Sequence, residues 1–183
     1  MTITKEWLKE KLACKEGVDW FVNQQETEGI KIVEKLVQED RLQWANWLIV
    51  RIMTKKQYVS YAVYSAEQVI DIYEKKYPED KRPRNAIEAA KKCIENPSEE
   101  NKKAAASAAT SAHAAAAAHA AYSASAASAA YSAAASAASA AYSASAASAA
   151  YSAAAASAAY SAAAYVARKN ILEYGLELLR SVE

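Results

Sequence analysis

The sequence predicts an all-α protein, a multi-helix bundle with a long Ala/Ser/Tyr-rich helical region folded back on its N-terminal helices. Three observations carry that expectation. The 183 residues include only 3 Gly and 3 Pro, too few for the turns that hairpins and sandwiches need. Apolar residues in the N-terminal part recur at spacings of three and four, the pattern of a buried helical stripe. From Ala104 to Ala167 the chain is an uncharged tract dominated by Ala, Ser and Tyr, with no Gly or Pro, and Ala is the strongest helix former.

In chain order, the Thr4 hydroxyl is placed to cap a first helix carrying Trp7, Leu8 and Leu12 on one face, with Gly17 as its stop. Val18, Trp20, Phe21 and Val22 then lead through Gly29 into Ile30, Ile32, Val33, Leu36 and Val37, spaced as a buried stripe. Leu42 to Val50 is apolar almost all round, which marks a central helix. Thr54 and Gln57 have the spacing of a capping box, so a helix is expected from Lys55 to about Tyr77. Along it Tyr58, Tyr61, Tyr64 or Ser65, Gln68 and Ile72 recur at helical intervals. The stripe reads first as half-buried core with hydroxyls at the rim, and second as a ligand surface.

Pro78 ends that helix by removing a donor and restricting the residue before it. Pro83 suits the first position of the next, where a missing amide is harmless. Asn96-Pro97-Ser98-Glu99 repeats the pattern, with Asn96 as N-cap and Pro97 at N1. The helix beginning there is expected to run into the tract. The organisation read from this is an N-terminal helical body over 1–103, the tract over 104–167 packed on it, and a closing helix over 168–183, as one compact unit.

Within the tract, residues 122–130 and 142–150 both read YSASAASAA, separated by an eleven-residue unit. At about 100° per residue, nine positions turn a side chain to the opposite face and eleven nearly restore it. On one continuous helix Tyr122, Tyr151 and Tyr165 share one side and Tyr131, Tyr142 and Tyr160 the other. A straight rod of this length would span about 96 Å. A folded-back arrangement is favoured, because an uncharged helix gains more from burial than from solvation.

The 22 basic and 21 acidic residues nearly cancel, so the footprint of a general nucleic-acid binder is missing and no DNA duplex is expected as a partner. Cys14 and Cys93 fit neither a metal motif nor a disulfide framework. They read as buried free thiols of a reducing cytosol. The N-terminus has no apolar signal segment. Ala is almost neutral in transfer and Ser and Tyr carry hydroxyls, so the tract is not read as a membrane span.

The densest polar cluster is Asp80-Lys81-Arg82-Pro83-Arg84-Asn85, at a loop-to-helix junction. Free amides there, with Arg82 and Arg84, could hold a carboxylate or phosphate. The plainer reading is that Asp80 and the arginines pin the loop to acidic groups of neighbouring helices. His113 and His119 lie about 240° apart on a helix, which spoils a shared metal site. The serines lack a nucleophile elbow and a placed His-acid pair, and in a helix each can bond back to a carbonyl one turn earlier. P-loop, dinucleotide-binding and H-E-x-x-H signatures are absent. The expectation is a non-enzymatic protein without catalytic residues, metal or cofactor, whose candidate ligand-binding residues are Asp80, Arg82, Arg84, Tyr61 and Tyr64.

Trp44-Ala45-Asn46-Trp47-Leu48, Ala66-Glu67-Gln68-Val69, the run from Asp80 to Ala90 (DKRPRNAIEAA) and Ile171-Leu172-Glu173-Tyr174-Gly175 together carry a family resemblance. From about Asp19 to Leu179 the chain resembles the immunity proteins assigned to bacterial toxin systems and carried by phages and prophages. The likeness includes the position of an Ala-rich insert, and R-P-R-x-A-I-E-A is its most specific part. It implies a cytoplasmic protein of bacterial and phage conflict that neutralises a protein toxin or defence component by stoichiometric binding. A second function class is a sponge that holds a nucleotide immune signal between tyrosine rings and Arg82 and Arg84. A third is a structural bundle that forms homo-oligomers through small-residue packing of the tract.

Overall fold

The computed structural model describes residues 1–68, 70–120 and 164–181; for 72, 76, 110, 112–120 and 164–167 it describes the backbone alone. Among the described residues the architecture is all-α. The helices are α1 (Lys5–Glu10), α2 (Lys15–Val22), α3 (Gly29–Gln38), α4 (Leu42–Ile52), α5 (Lys55–Glu67), α6 (Ile70–Lys76), α7 (Arg82–Glu95), α8 (Glu99–Ala120) and α9 (Ala164–Arg180). The extended start of the chain is tied to the front of α3 by Ile3 N–H donating to Thr27 O at 2.7 Å and Gly29 N–H donating to Met1 O at 2.9 Å. No described helix is long and apolar enough to cross a membrane.

Thr4 caps α1 as its sequence predicts, accepting from Trp7 N–H at 3.1 Å. The helix stops well before Gly17, because Leu12 takes the left-handed conformation with φ 59°. Leu12 N–H then bonds to Lys9 O and Ala13 N–H to Leu8 O, the paired closure that usually recruits glycine. Leu12 thereby leaves the face it was expected to share with Trp7 and Leu8, and its side chain is 86% exposed. Gly17 lies inside α2, whose N-cap is Cys14. The two thiols also part company: Cys93 is buried, but Cys14 is exposed.

The central α4 forms as expected, with Ala45, Ile49 and Val50 fully buried. Thr54 and Gln57 make the predicted capping box at the start of α5. The helix expected from Lys55 to Tyr77 is two, interrupted after Glu67, where the Gln68 cap amide bonds to Ala66 O and Tyr64 O. Two of the α5 tyrosines are core, Tyr61 at 0% and Tyr58 at 6% exposed, and Tyr64 is half-buried. Arg82 opens α7 and Pro83 follows it. Asn96 caps the end of α7 instead of starting α8. Ser98 is the group that begins α8, its hydroxyl accepting from Asn101 N–H at 3.2 Å and its carbonyl from Lys102 N–H at 3.0 Å.

The first 17 residues of the Ala-rich tract continue α8. This helix packs against α7, burying Ala105 and Ala109 on the one side and Ala86, Ala90 and Cys93 on the other. Ser111 donates its hydroxyl back to Ser107 O at 3.0 Å, the local bonding expected of helical serines. The side placement of Tyr122, Tyr131, Tyr142, Tyr151 and Tyr160, and the choice between rod and folded-back tract, lie outside the described residues. So do the side chains of Tyr165, His113 and His119.

The closing helix α9 packs on α3, α4 and α5. Gly175 permits this contact. A Cβ built on it would stand 2.7 Å from Ile49 Cδ1 and 2.8 Å from Tyr61 Cε2. Ile49 Cδ1 is the tip of a side chain, but the Tyr61 ring is fully buried and held by its hydroxyl, which is bonded to Asn46 Oδ1 at 2.9 Å. Gln57 ties the same helix from another side, donating Nε2 to Leu178 O at 2.6 Å. Tyr174 stacks on Tyr64, with ring centroids 4.0 Å apart.

Gly175→Ala is therefore expected to destabilise the protein by about 1–2 kcal/mol. Overpacking of a full core typically costs 1–3 kcal/mol, and the gain in helix propensity offsets only about 0.5–1 kcal/mol of it. Urea denaturation of the full chain measures the difference, with Gly175→Val expected to be worse.

Candidate functional site

The polar cluster picked out in the sequence forms a rigid corner between α6 and α7. The Asp80 carboxylate accepts from Arg82 Nε at 2.8 Å and from Arg82 Nη2 at 2.6 Å. It also accepts from the Tyr73 hydroxyl at 2.6 Å and from Arg82 N–H at 3.1 Å. The start of α7 thus holds a carboxylate of its own chain, which supplies the cap that Lys81 does not.

Arg84 makes a second two-pronged pair, reaching Glu74 at 2.9 and 2.6 Å across to α6, with Asp71 at 3.5 Å. Planar guanidinium matched to carboxylate fixes direction as well as charge. Lys91 continues the polar seam by pairing with Glu67 at 2.6 Å and Glu88 at 3.1 Å.

These contacts set the titration of the corner. The Arg82 guanidinium, helped by the Tyr73 hydroxyl and the Arg82 amide, holds the Asp80 carboxyl far below the usual carboxylate range against a smaller opposing effect of burial. Arg84 likewise lowers Glu74, and Glu74 in turn raises Arg84. Of the five candidate residues, the structure brings Asp80 and Arg82 together, and places Arg84 on Glu74. Tyr61 lies in the core against α4, where burial pushes its phenol well above the ordinary value. Tyr64 is half-buried beneath Tyr174, whose own phenol burial also raises. No group of three or more His, Cys, Asp or Glu able to hold a metal ion occurs among the described residues.

A second feature has no local motif in the sequence. A cavity of about 320 Å³ lies among α1, α2, α3 and α4, walled by Trp20, Phe21, Trp44 and Trp47 and by aliphatic side chains. Trp7 meets Trp47 edge-on at 6.5 Å and Trp20 meets Trp44 at 6.3 Å. The available signal was the confinement of all four tryptophans to positions 7–47.

The pH dependence of the corner follows from its charge pairing. An unfolded chain takes up a proton at Asp80 near pH 3.9, whereas the folded chain keeps the carboxylate charged to lower pH. The contribution is complete above that unfolded value and is lost as pH falls toward the folded one. Between about pH 5 and about pH 2 the urea midpoint is expected to drop, and Asp80→Asn to make the drop shallower. At neutral pH the same variant should cost roughly 1–2 kcal/mol, since the bonds it weakens are to a charged group.

Residues 49–179 match the family model described as Imm-5 like putative immunity protein, which includes the Asp80–Arg84 corner, α7 and the I-L-E-Y-G segment of α9. Residues 1–56 match a different model, the YdhT N-terminal domain, so the immunity likeness begins at residue 49 and not near residue 19. No curated protein and no solved structure matches. With the match covering well over half of its length, the chain belongs to the Imm-5 like immunity protein family.

Proposed function

We propose that the protein neutralises a protein toxin of bacterial conflict by binding it one to one in the folded state, without turnover. The observation that carries this reading is the family match over residues 49–179. The R-P-R-x-A-I-E-A run, Arg82 to Ala89, lies inside the matched residues and opens α7. That helix buries Pro83, Ala86, Ile87, Ala90 and Cys93 and leaves Arg82, Asn85, Glu88 and Lys92 exposed. Beside them a shallow cavity of about 210 Å³ is lined by residues of both α7 and α8, among them Asn85, Lys92 and Asn101.

This face has the attributes of a recognition surface. Its charges alternate in sign, which favours one complementary partner over many. Its backbone is held rigid by the two arginine pairs, so little ordering cost falls on association. We take the exposed side of α7, with the Asp80–Arg82 corner at its start, as the toxin-binding face.

Co-expression with candidate toxin genes taken from its genome neighbourhood is expected to identify one whose toxicity it relieves and with which it co-purifies as a one-to-one complex. Asn85→Arg combined with Lys92→Glu should weaken that complex at least tenfold while leaving the melting temperature unchanged, because both side chains are exposed. Absence of both rescue and complex would overturn the reading, and full rescue by the double variant would move the interface off α7.

A further inference from the structure

We propose that the cavity among α1–α4 is a binding site for a small, flat, uncharged aromatic molecule. Its volume of about 320 Å³ falls at the lower end of the roughly 300–1,000 Å³ of small-molecule sites, which restricts it to a small ligand. Indoles and aliphatic groups make up most of the wall, and no Lys, Arg, Asp or Glu side chain lines it. A charged ligand would lose its hydration there without gaining a counter-charge. The carboxamide of Gln43 and the thiol of Cys14 are the polar side chains on the lining.

The aromatic walls are fixed in advance. Trp20 Nε1 donates to Glu39 at 2.7 Å, and the Arg41 guanidinium stands 4.7 Å over Trp44 and 5.9 Å over Trp20. Arg51 sits 4.0 Å over Trp47 and donates to its carbonyl. Indoles held this way can meet a planar guest edge-to-face or offset-stacked at little ordering cost.

Leu12 supplies an independent indication. It lines the cavity, is 86% exposed and holds φ 59°, a backbone geometry that disfavours aliphatic side chains and is taken mainly by Gly, Asn and Asp. Neither packing nor conformation accounts for a leucine at this position. Closing over an apolar guest does. All the lining residues fall between Ile3 and Leu48, outside the segment that matches the immunity family, so this inference stands or falls separately from the toxin reading.

The test titrates the full-length protein with phenylnaphthylamine, a neutral aromatic dye, and with anilinonaphthalene sulfonate, the same body bearing a negative charge. The neutral dye should bind saturably at one per chain, light up on tryptophan excitation, and bind at least tenfold more tightly than the sulfonate. Bound dye should slow alkylation of the exposed Cys14 by N-ethylmaleimide. Leu12→Gly, which relieves the backbone, should weaken binding fivefold or more with no fall in melting temperature. Absence of saturable binding, equal affinity for the charged dye, a Cys14 alkylation rate unchanged by bound dye, or undiminished binding by Leu12→Gly would overturn the proposal.

Discussion

The close approach of α9 to α4 and α5 at Gly175 is the constraint on which the rest of the described bundle depends. With no Cβ, the helix settles against Ile49 and Tyr61, and its other ties lie along the same contact. Tyr174 stacks on Tyr64, Gln57 reaches Leu178 O, and Arg180 pairs with Glu34 on α3. Ile171, Leu172 and Leu176 are buried as a result. A residue near the end of the chain therefore determines how three helices from its first seventy residues are covered.

Gln57 shows how local and distant order share one side chain. Its carbonyl oxygen accepts from Thr54 N–H and closes the capping box, while its amide nitrogen reaches α9. Capping positions the side chain for the tertiary bond, and that bond keeps it in the cap. The corner at Asp80 works alike, since one carboxylate caps α7, pairs with Arg82 and accepts from Tyr73 on α6. The entry angle of α7, and with it the direction of its exposed face, is set by that carboxylate.

Two family segments overlap at residues 49–56, which span the end of α4 and the first residues of α5. The aromatic cavity belongs to the first segment and the α7 face to the second. Because α4 contributes Trp44 and Trp47 to the cavity and Ile49 to the seat of α9, one helix is common to both.

The helical class, the central helix, the capping box and the cap at Thr4 were all legible in local sequence, because periodicity, capping and the scarcity of Gly and Pro act over a few residues. The sequence also pointed to the Asp80–Arg84 cluster and to the family. Boundaries that depend on competition between neighbours were decided elsewhere. Leu12 displaced Gly17 as the stop of α1, and Ser98 displaced Asn96 as the start of α8, because each makes the closing hydrogen bonds that the rival does not. The cavity and the role of Gly175 were legible in no local pattern. They arise only where helices far apart in sequence meet, and it is the space between those helices that decides which small residue is required and which aromatic rings face one another.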